Sequence, residues 1–237
     1  MWFESYLTNR SQYVTFDGCH SSTQNINCGV PQGSILGPLL FIIYMNDICN
    51  VSDLLFKVLY ADDTSVLLSG KNLANLLSSM NHELQALSIW LKANKLSLNA
   101  KKTYFIIFHR ARIKLPDISI VVHMDNCILS RTNCLKYLGV MLDNKMSWIE
   151  HITYVKNKVS KGIGIIYKAR RYLNKKSLVN LYHSYIYPYL IYCIESWGNA
   201  AACHIYPLFI LQKRIVRLIT FCNYDADTIF KDLYILP

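Results

Sequence analysis

The sequence predicts an α+β protein in two parts, mixed strand and helix over residues 1–143 and all helix over residues 144–237. Three observations predict it. The first part holds short runs of alternating character closed by turn dipeptides. The second holds long runs with an apolar residue every three or four positions. The charge is also concentrated: residues 1–100 carry 5 Lys/Arg against 7 Asp/Glu, residues 101–180 carry 16 against 4, and residues 181–237 carry 4 of each. At 237 residues, 52% hydrophobic and 17% charged, the chain is long enough and apolar enough for a real core, and disorder is excluded.

From the N-terminus, "WFESYL" reads as a helix end, and "QYVTF" with the following polar run reads as a strand pair about Asp17-Gly18. Phe16–Asp17 invites a catalytic reading, but Asp-Gly is a strong turn dipeptide and the turn is preferred. In "CGVPQGSILGPLLFIIYMNDI", Gly29 and Gly33 bracket Pro31 and Gln32, and an apolar helix is expected from about Ser34. Pro38 falls near its first turn, where a missing N–H costs little.

"LLFKVLYADDTSVLLS" alternates on both sides of a central turn, as an antiparallel hairpin does. Leu73, Leu76, Leu77, Met80, Leu84, Leu87 and Leu91 have helical spacing, which predicts a packing helix. "KTYFIIF" is expected as a strand, and "CLKYLGVMLD" as a hairpin containing Gly139. From Ser147 the character changes. Ser147 and Glu150 suggest a capping box, and Ile152, Val155, Val159, Ile163, Ile166 and Leu173 make one helical face. Lys156, Lys158, Lys161, Lys168, Arg170 and Arg171 mostly occupy the rest. A second helix runs from about Ser177 and is expected to kink near Pro188, and "LFILQKRIVRLIT" gives a third.

The longest apolar runs, "ILGPLLFIIYM" and "YIYPYLIYCI", fall short of the roughly 20 residues a membrane span needs, so no transmembrane helix is expected. The eight cysteines (Cys19, Cys28, Cys49, Cys127, Cys134, Cys193, Cys203 and Cys222) form no CxxC pair and no zinc-like spacing with histidine. With no signal peptide in "MWFESYLTNR", they read as reduced thiols of an intracellular protein, nuclear or cytoplasmic and not secreted. A net charge of +10, gathered in one segment, suits a polyanion such as nucleic acid, with a solvated basic face as the alternative.

Asp62 and Asp63 carry the clearest chemistry. Two carboxylates at about 4 Å repel by roughly 1–4 kcal/mol, depending on screening. A divalent cation removes that cost, and a turn lets neighbouring side chains face one ion because it breaks the strand alternation. A solvent-exposed hairpin tip is the structural alternative.

The ordered set "GVPQGSILGPLLF", "YADD", "NKLSLNAKKTYFIIF" and "KYLGV" resembles the reverse transcriptases, and within them the non-LTR, LINE-like branch of jockey type. YADD alone is weak. PQG before it and KYLG behind it, in order, are specific. "HITYVKNKVSKGIGII", "LYHSYIYPYLIYC" and "LQKRIVRLIT" extend the likeness over nearly the whole chain. A group II intron maturase also carries YADD, but the region from Ser147 looks less like one.

The resemblance implies a partial right-hand polymerase palm, an antiparallel sheet with packing helices, over residues 1–143, and a basic helical thumb over 144–237. It implies two Mg²⁺ ions, or Mn²⁺ in their place, with Asp62 the main ligand of the pair and Asp63 its neighbour. Tyr60 would lie beside the template–primer. Pro31, Gln32 and Gly33 would sit near the incoming deoxynucleoside triphosphate and the templating base. Lys102 matches the family lysine near the phosphates, with a plain surface lysine as the alternative. Tyr137, Leu138 and Gly139 match the primer-gripping hairpin, and the lysines and arginines named above would track an RNA template and DNA primer. Tyr182, Tyr185, Tyr187, Tyr189 and Tyr192 could stack on bases, but their helical spacing favours packing.

One family element has no match. A further aspartate comes from an "FDxxxAFD"-like segment upstream of PQG, and Phe16–Asp17 lies too close to PQG to be it. In the family's order Met1 already follows that strand, so the fingers, that strand and any endonuclease are expected to be absent, as is a C-terminal zinc knuckle. The chain alone is expected not to polymerise DNA, while residues 145–176 are expected to bind nucleic acid. Two classes stay open: a polymerase fragment, truncated or completed by another palm and fingers segment, and a non-catalytic nucleic-acid-binding remnant of a decayed element.

Overall fold

In the computed structural model, which describes residues 2–27, 29–113, 115–116, 119–221, 230 and 233, helices and strands mix as the sequence pattern predicts. Cys28 and Cys222 lie outside the described residues. The chain packs as two units, residues 1–100 with 118–128, and residues 101–117 with 129–237.

The first unit opens with α1 (Trp2–Leu7) and two small ladders. β1 (Ser11–Gln12) pairs antiparallel with β4 (Gln24–Asn25), and between them β2 (Thr15–Phe16) pairs with β3 (Cys19–His20). Asp17 (φ 47°) and Gly18 (φ 77°) close the inner pair, so Asp17 serves the turn. Helix α2 (Gly37–Met45) starts three residues later than expected. The physical reason is the turn before it: Ser34 N–H donates to the Pro31 carbonyl at 3.2 Å, and Ser34 Oγ then accepts from Gly37 N–H at 3.1 Å. Pro38 occupies the first turn, as its missing N–H allows.

A 3₁₀ turn over Asn46–Val51 leads into β5 (Phe56–Tyr60), which pairs antiparallel with β6 (Asp63–Leu67). Lys57 ties the base of this hairpin to the turn by donating from Nζ to the carbonyls of Cys49 (3.0 Å) and Ser52. Helix α3 (Leu73–Ala93) follows, its N-terminal N–H groups capped by Asn72 Oδ1. It buries Leu84 and Leu87, while Met45, Ile48, Leu55, Val122 and Met124 are the other buried apolar side chains among the described residues of this unit. Asn81 holds the later chain to α3, donating to the Val121 carbonyl (3.2 Å) and accepting from His123 N–H (2.7 Å).

In the second unit, "KTYFIIF" yields only the two-residue β7 (Tyr104–Phe105). β8 (His123–Met124) and β9 (Cys127–Ile128) form a ribbon within the first unit, and β7 pairs in parallel with β10 (Ser130–Arg131). β11 (Cys134–Tyr137) and β12 (Val140–Asp143) make the predicted hairpin. Among the described residues every ladder has two strands, so strand pairing here is a set of separate ribbons rather than one broad sheet.

Helix α4 (Ile149–Ala169) buries Ile152, Val155, Val159, Ile163 and Ile166 along one stripe. Leu173 falls beyond the helix and is 40% exposed, which corrects its placement on that face. The expected capping box does not form either: Trp148 is the N-cap, at φ 64°. Asp143 serves instead. Its carboxylate accepts from the N–H groups of Lys145 (3.0 Å), Ser147 (2.9 Å) and Trp148 (2.9 Å), and from the Ser147 hydroxyl (3.2 Å). Burial raises the Asp143 pKa, but these donors outweigh it and hold the carboxyl below its usual value.

The predicted kinked helix is three short ones: α5 (Lys175–Tyr185), α6 (Tyr187–Ile191) and α7 (Ile194–Trp197). Pro188 lacks the N–H that would continue α5, and the chain leaves helical geometry at Ile186 (φ −123°, ψ −56°). Helix α8 (Ala202–Thr220) begins earlier than Leu208 and accommodates Pro207 in its second turn. Its residues Leu208, Ile215, Val216 and Ile219 join the α4 stripe, Leu178, Tyr182, Ile186 and Trp197 in one core. Gly162 is essential to that core, because a Cβ there would stand 2.5 Å from Ile186 Cγ1. Tyr182 is fully buried, with its phenol accepting from Gln212 Nε2 at 3.2 Å, and burial pushes its pKa up to about 12. His151 is buried beneath Trp197. Its Nδ1 accepts from Met141 N–H at 3.2 Å, Nε2 has no partner, and burial lowers its pKa. Among the described residues no helix is long and apolar enough to cross a membrane.

Candidate active site

The β5–β6 hairpin closes on Ala61 and Asp62, with Tyr60 paired directly across from Asp63. Ala61 takes φ 50°, a conformation that costs a non-glycine residue roughly 1 kcal/mol and fixes the sharp reversal. The reversal puts Asp62 in the turn and Asp63 at the head of β6, both exposed, with Tyr60 62% exposed beside them. Neither carboxylate has a hydrogen bond or ion pair among the described residues, so both are available to a ligand. Carboxylate oxygens are the donors that Mg²⁺ and Mn²⁺ take. The pair therefore fits a divalent ion in donor type and supplies part of a ligand set. No group of three or more metal-ligating side chains is assembled among the described residues.

The PQG segment lies in the same unit. The bond from Ser34 N–H to Pro31 makes Gln32 and Gly33 the central residues of a turn, and Gly33 at φ 82° meets its requirement for a left-handed residue. Gln32 and Gly33 are exposed, and nothing lies within 4 Å of where a Gly33 Cβ would be. The glycine is thus needed for its backbone conformation, and its open side leaves room for close approach by a ligand.

Lys102 is an exposed turn residue of the second unit. The Tyr137–Gly139 segment, in the same unit, is half-buried at the tip of the β11–β12 hairpin, where Leu138 (φ 43°) and Gly139 (φ 90°) form the two-residue turn. The Tyr192 phenol donates to the Leu138 carbonyl at 2.6 Å, and a Cβ on Gly139 would meet Tyr192 Cε1 at 3.0 Å. Tyr192 was expected as a packing residue; its particular task is to hold this turn.

Of the six basic positions read from the sequence, Lys156, Lys161, Lys168 and Arg171 are exposed. Lys158 is half-buried, its ammonium 5.5 Å from the Tyr154 ring centre and 5.7 Å from that of Tyr189. Arg170 is half-buried with its guanidinium 4.5 Å from the Phe221 ring centre. Sequence reasoning missed Lys136, which sits on β11 with its ammonium 5.1 Å from the centre of the same Tyr154 ring. The structure therefore joins the hairpin and α4 in one basic surface. Its signal was present in "KYLG", whose first letter is a cation.

A family model described as reverse transcriptase (RNA-dependent DNA polymerase) matches residues 1–142. Among curated proteins, the chain is 31% identical over 92% of its length to the RNA-directed DNA polymerase from mobile element jockey of Drosophila melanogaster, covering 24% of that protein. It is 27% identical over 97% of its length to the probable RNA-directed DNA polymerase from transposon X-element, and 29% identical over 97% to that from transposon BS, both of Drosophila melanogaster, covering 26% of each. The chain thus spans about a quarter of the length of these relatives. No solved structure matches.

Proposed function

The chain belongs to the reverse transcriptase family, and on that premise we propose that it is the C-terminal palm and the thumb of a non-LTR retrotransposon's RNA-directed DNA polymerase. The observation that carries the site assignment is the hairpin turn that sets two unpartnered, exposed carboxylates, Asp62 and Asp63, beside Tyr60. A divalent ion held there would supply charge neutralisation for nucleotidyl transfer. Asp62 and Asp63 would bind the ion, Tyr60 would rest against the template–primer, and the open face of Gly33 with Gln32 would meet the deoxynucleoside triphosphate and the templating base. Lys102 would serve its phosphates. The Tyr137–Gly139 turn, braced by Tyr192, would grip the primer strand, and Lys136, Lys156, Lys158, Lys161 and Lys168 would follow phosphates of the RNA template and DNA primer. The division after residue 143 belongs to this functional reading.

Two acidic ligands are fewer than a two-ion site uses, so the chain by itself is proposed not to polymerise. Further palm structure would complete the site. Exposed apolar residues on α2, Leu39 (53%), Ile42 (61%) and Ile43 (62%), support a missing neighbour there. The test is primer extension on an RNA template by the purified chain with Mg²⁺ or Mn²⁺, for which no product is expected. Extension abolished by Asp62→Asn would overturn the inactivity and confirm the site. A second reading, a non-catalytic nucleic-acid-binding remnant, is favoured by the basic surface of β11 and α4; binding with no extension, even when an upstream palm segment is supplied, would select it.

A further inference from the structure

The C-terminal ends of α4 and α8 meet at a concave surface that the metal-site reading does not use. Two adjoining cavities, about 320 and 620 Å³, share Arg170 and Phe221 as walls. Arg171 lines the first, and Lys213, Arg214 and Arg217 line the second. Among the described residues no acidic side chain lines either one, and Arg171, Arg214 and Arg217 have no ion pair there. Helix C-termini each attract about half a positive charge. Those three arginines alone exceed what two helix ends require, so a dianionic or polyanionic ligand is the natural complement.

The remaining lining is not that of a plain phosphate site. Tyr167 is 53% exposed and Phe221 57%, and Ile210 and Leu218 add apolar surface. Arg170 holds its guanidinium 4.5 Å from the Phe221 ring centre, a cation–π pair in the wall of both cavities. A duplex keeps its bases stacked inside and offers such a pocket only phosphates and groove edges. An unpaired nucleotide offers both a phosphate and a base face. We propose that this pocket binds a single-stranded segment of nucleic acid, with phosphates on Arg171, Arg214 and Arg217 and a base stacked on Tyr167. The inference rests on the reading that the helical region meets nucleic acid, and it assigns an unpaired strand to a place separate from the β11–α4 surface.

The test is fluorescence anisotropy of the full chain with a labelled uridine oligomer of about 12 nucleotides, and with a blunt RNA–DNA duplex, each titrated with salt. Arg214→Ala with Arg217→Ala should weaken single-strand binding about tenfold and flatten the slope of log affinity against log salt by about 1.4. Arg214→Lys with Arg217→Lys should restore that slope. Tyr167→Ala should weaken binding about tenfold at unchanged slope, with no effect on an abasic strand of equal length. Circular dichroism confirms that each variant is folded. Unchanged single-strand affinity, equal loss on the duplex, or loss only on anionic phospholipid vesicles would each overturn the proposal. Charge reversal of Lys156, Lys158 and Lys161 separates the two readings: if it abolishes duplex binding while the pocket variants change nothing, the thumb reading stands and this one falls.

Discussion

The Tyr192 hydroxyl donates a 2.6 Å hydrogen bond to the carbonyl of Leu138, fastening the tip of the β11–β12 hairpin to the chain just after α6. The turn holds two residues at positive φ, Leu138 and Gly139, and it would fray if left alone. Tyr192→Phe removes one hydrogen bond and should cost about 1 kcal/mol. Gly139→Ala meets both an unfavourable backbone and the Tyr192 ring, and should cost about 1–3 kcal/mol. Urea denaturation checks both. In the full polymerase these variants should also loosen primer binding, read as a raised primer dissociation constant at unchanged metal dependence.

Gly162 is where α4 approaches Ile186. Gly162→Ala should destabilise the chain by about 1–3 kcal/mol, against the gain in helix propensity that alanine ordinarily gives. Thermal unfolding that shows stabilisation instead would contradict the packing described.

Acid should destabilise the second unit in two steps. His151 stays neutral in the core, whereas an unfolded histidine takes up a proton near pH 6.5, so the unfolded state binds the extra proton and stability falls as pH drops from about 7 toward 5. Asp143 is held below its usual value, so its contribution is complete above its unfolded value of about 4 and is lost as pH falls through the lower folded one. His151→Phe should flatten the first step and Asp143→Asn the second, as measured by unfolding free energy against pH.

Charge reversal of Lys156, Lys158 and Lys161 should weaken duplex binding steeply and reduce its salt slope by about 3. Lys158→Glu also removes the contacts with Tyr154 and Tyr189, so Lys158→Gln serves as the milder control. Binding and salt dependence that do not change would remove the basic surface from the account.

Much of the fold was legible because its determinants are local. Asp17-Gly18, Ala61-Asp62 and Leu138-Gly139 each lie between alternating runs, and each closes a hairpin. The α4 stripe from Ile152 to Ile166 followed from spacing alone. What failed depended on partners distant in sequence or on competing local bonds. Ser147 and Glu150 satisfy the letters of a capping box, but Asp143 accepts the Ser147 N–H that the Glu150 carboxylate would have taken. Ser34 could have begun a helix, yet its hydroxyl caps Gly37. The candidate site was legible as chemistry in Asp62 and Asp63, while the support from Tyr192 and Lys136 came only with tertiary packing.

The most direct test of the account's centre is Mn²⁺ titration of the isotope-labelled chain followed by NMR. Mn²⁺ should broaden the amide signals of residues 60–64 first, and Asp62→Asn with Asp63→Asn should abolish that selectivity while leaving the remaining spectrum intact. Broadening that is spread over other acidic residues, or that persists unchanged in the double variant, would show that the turn does not hold a metal.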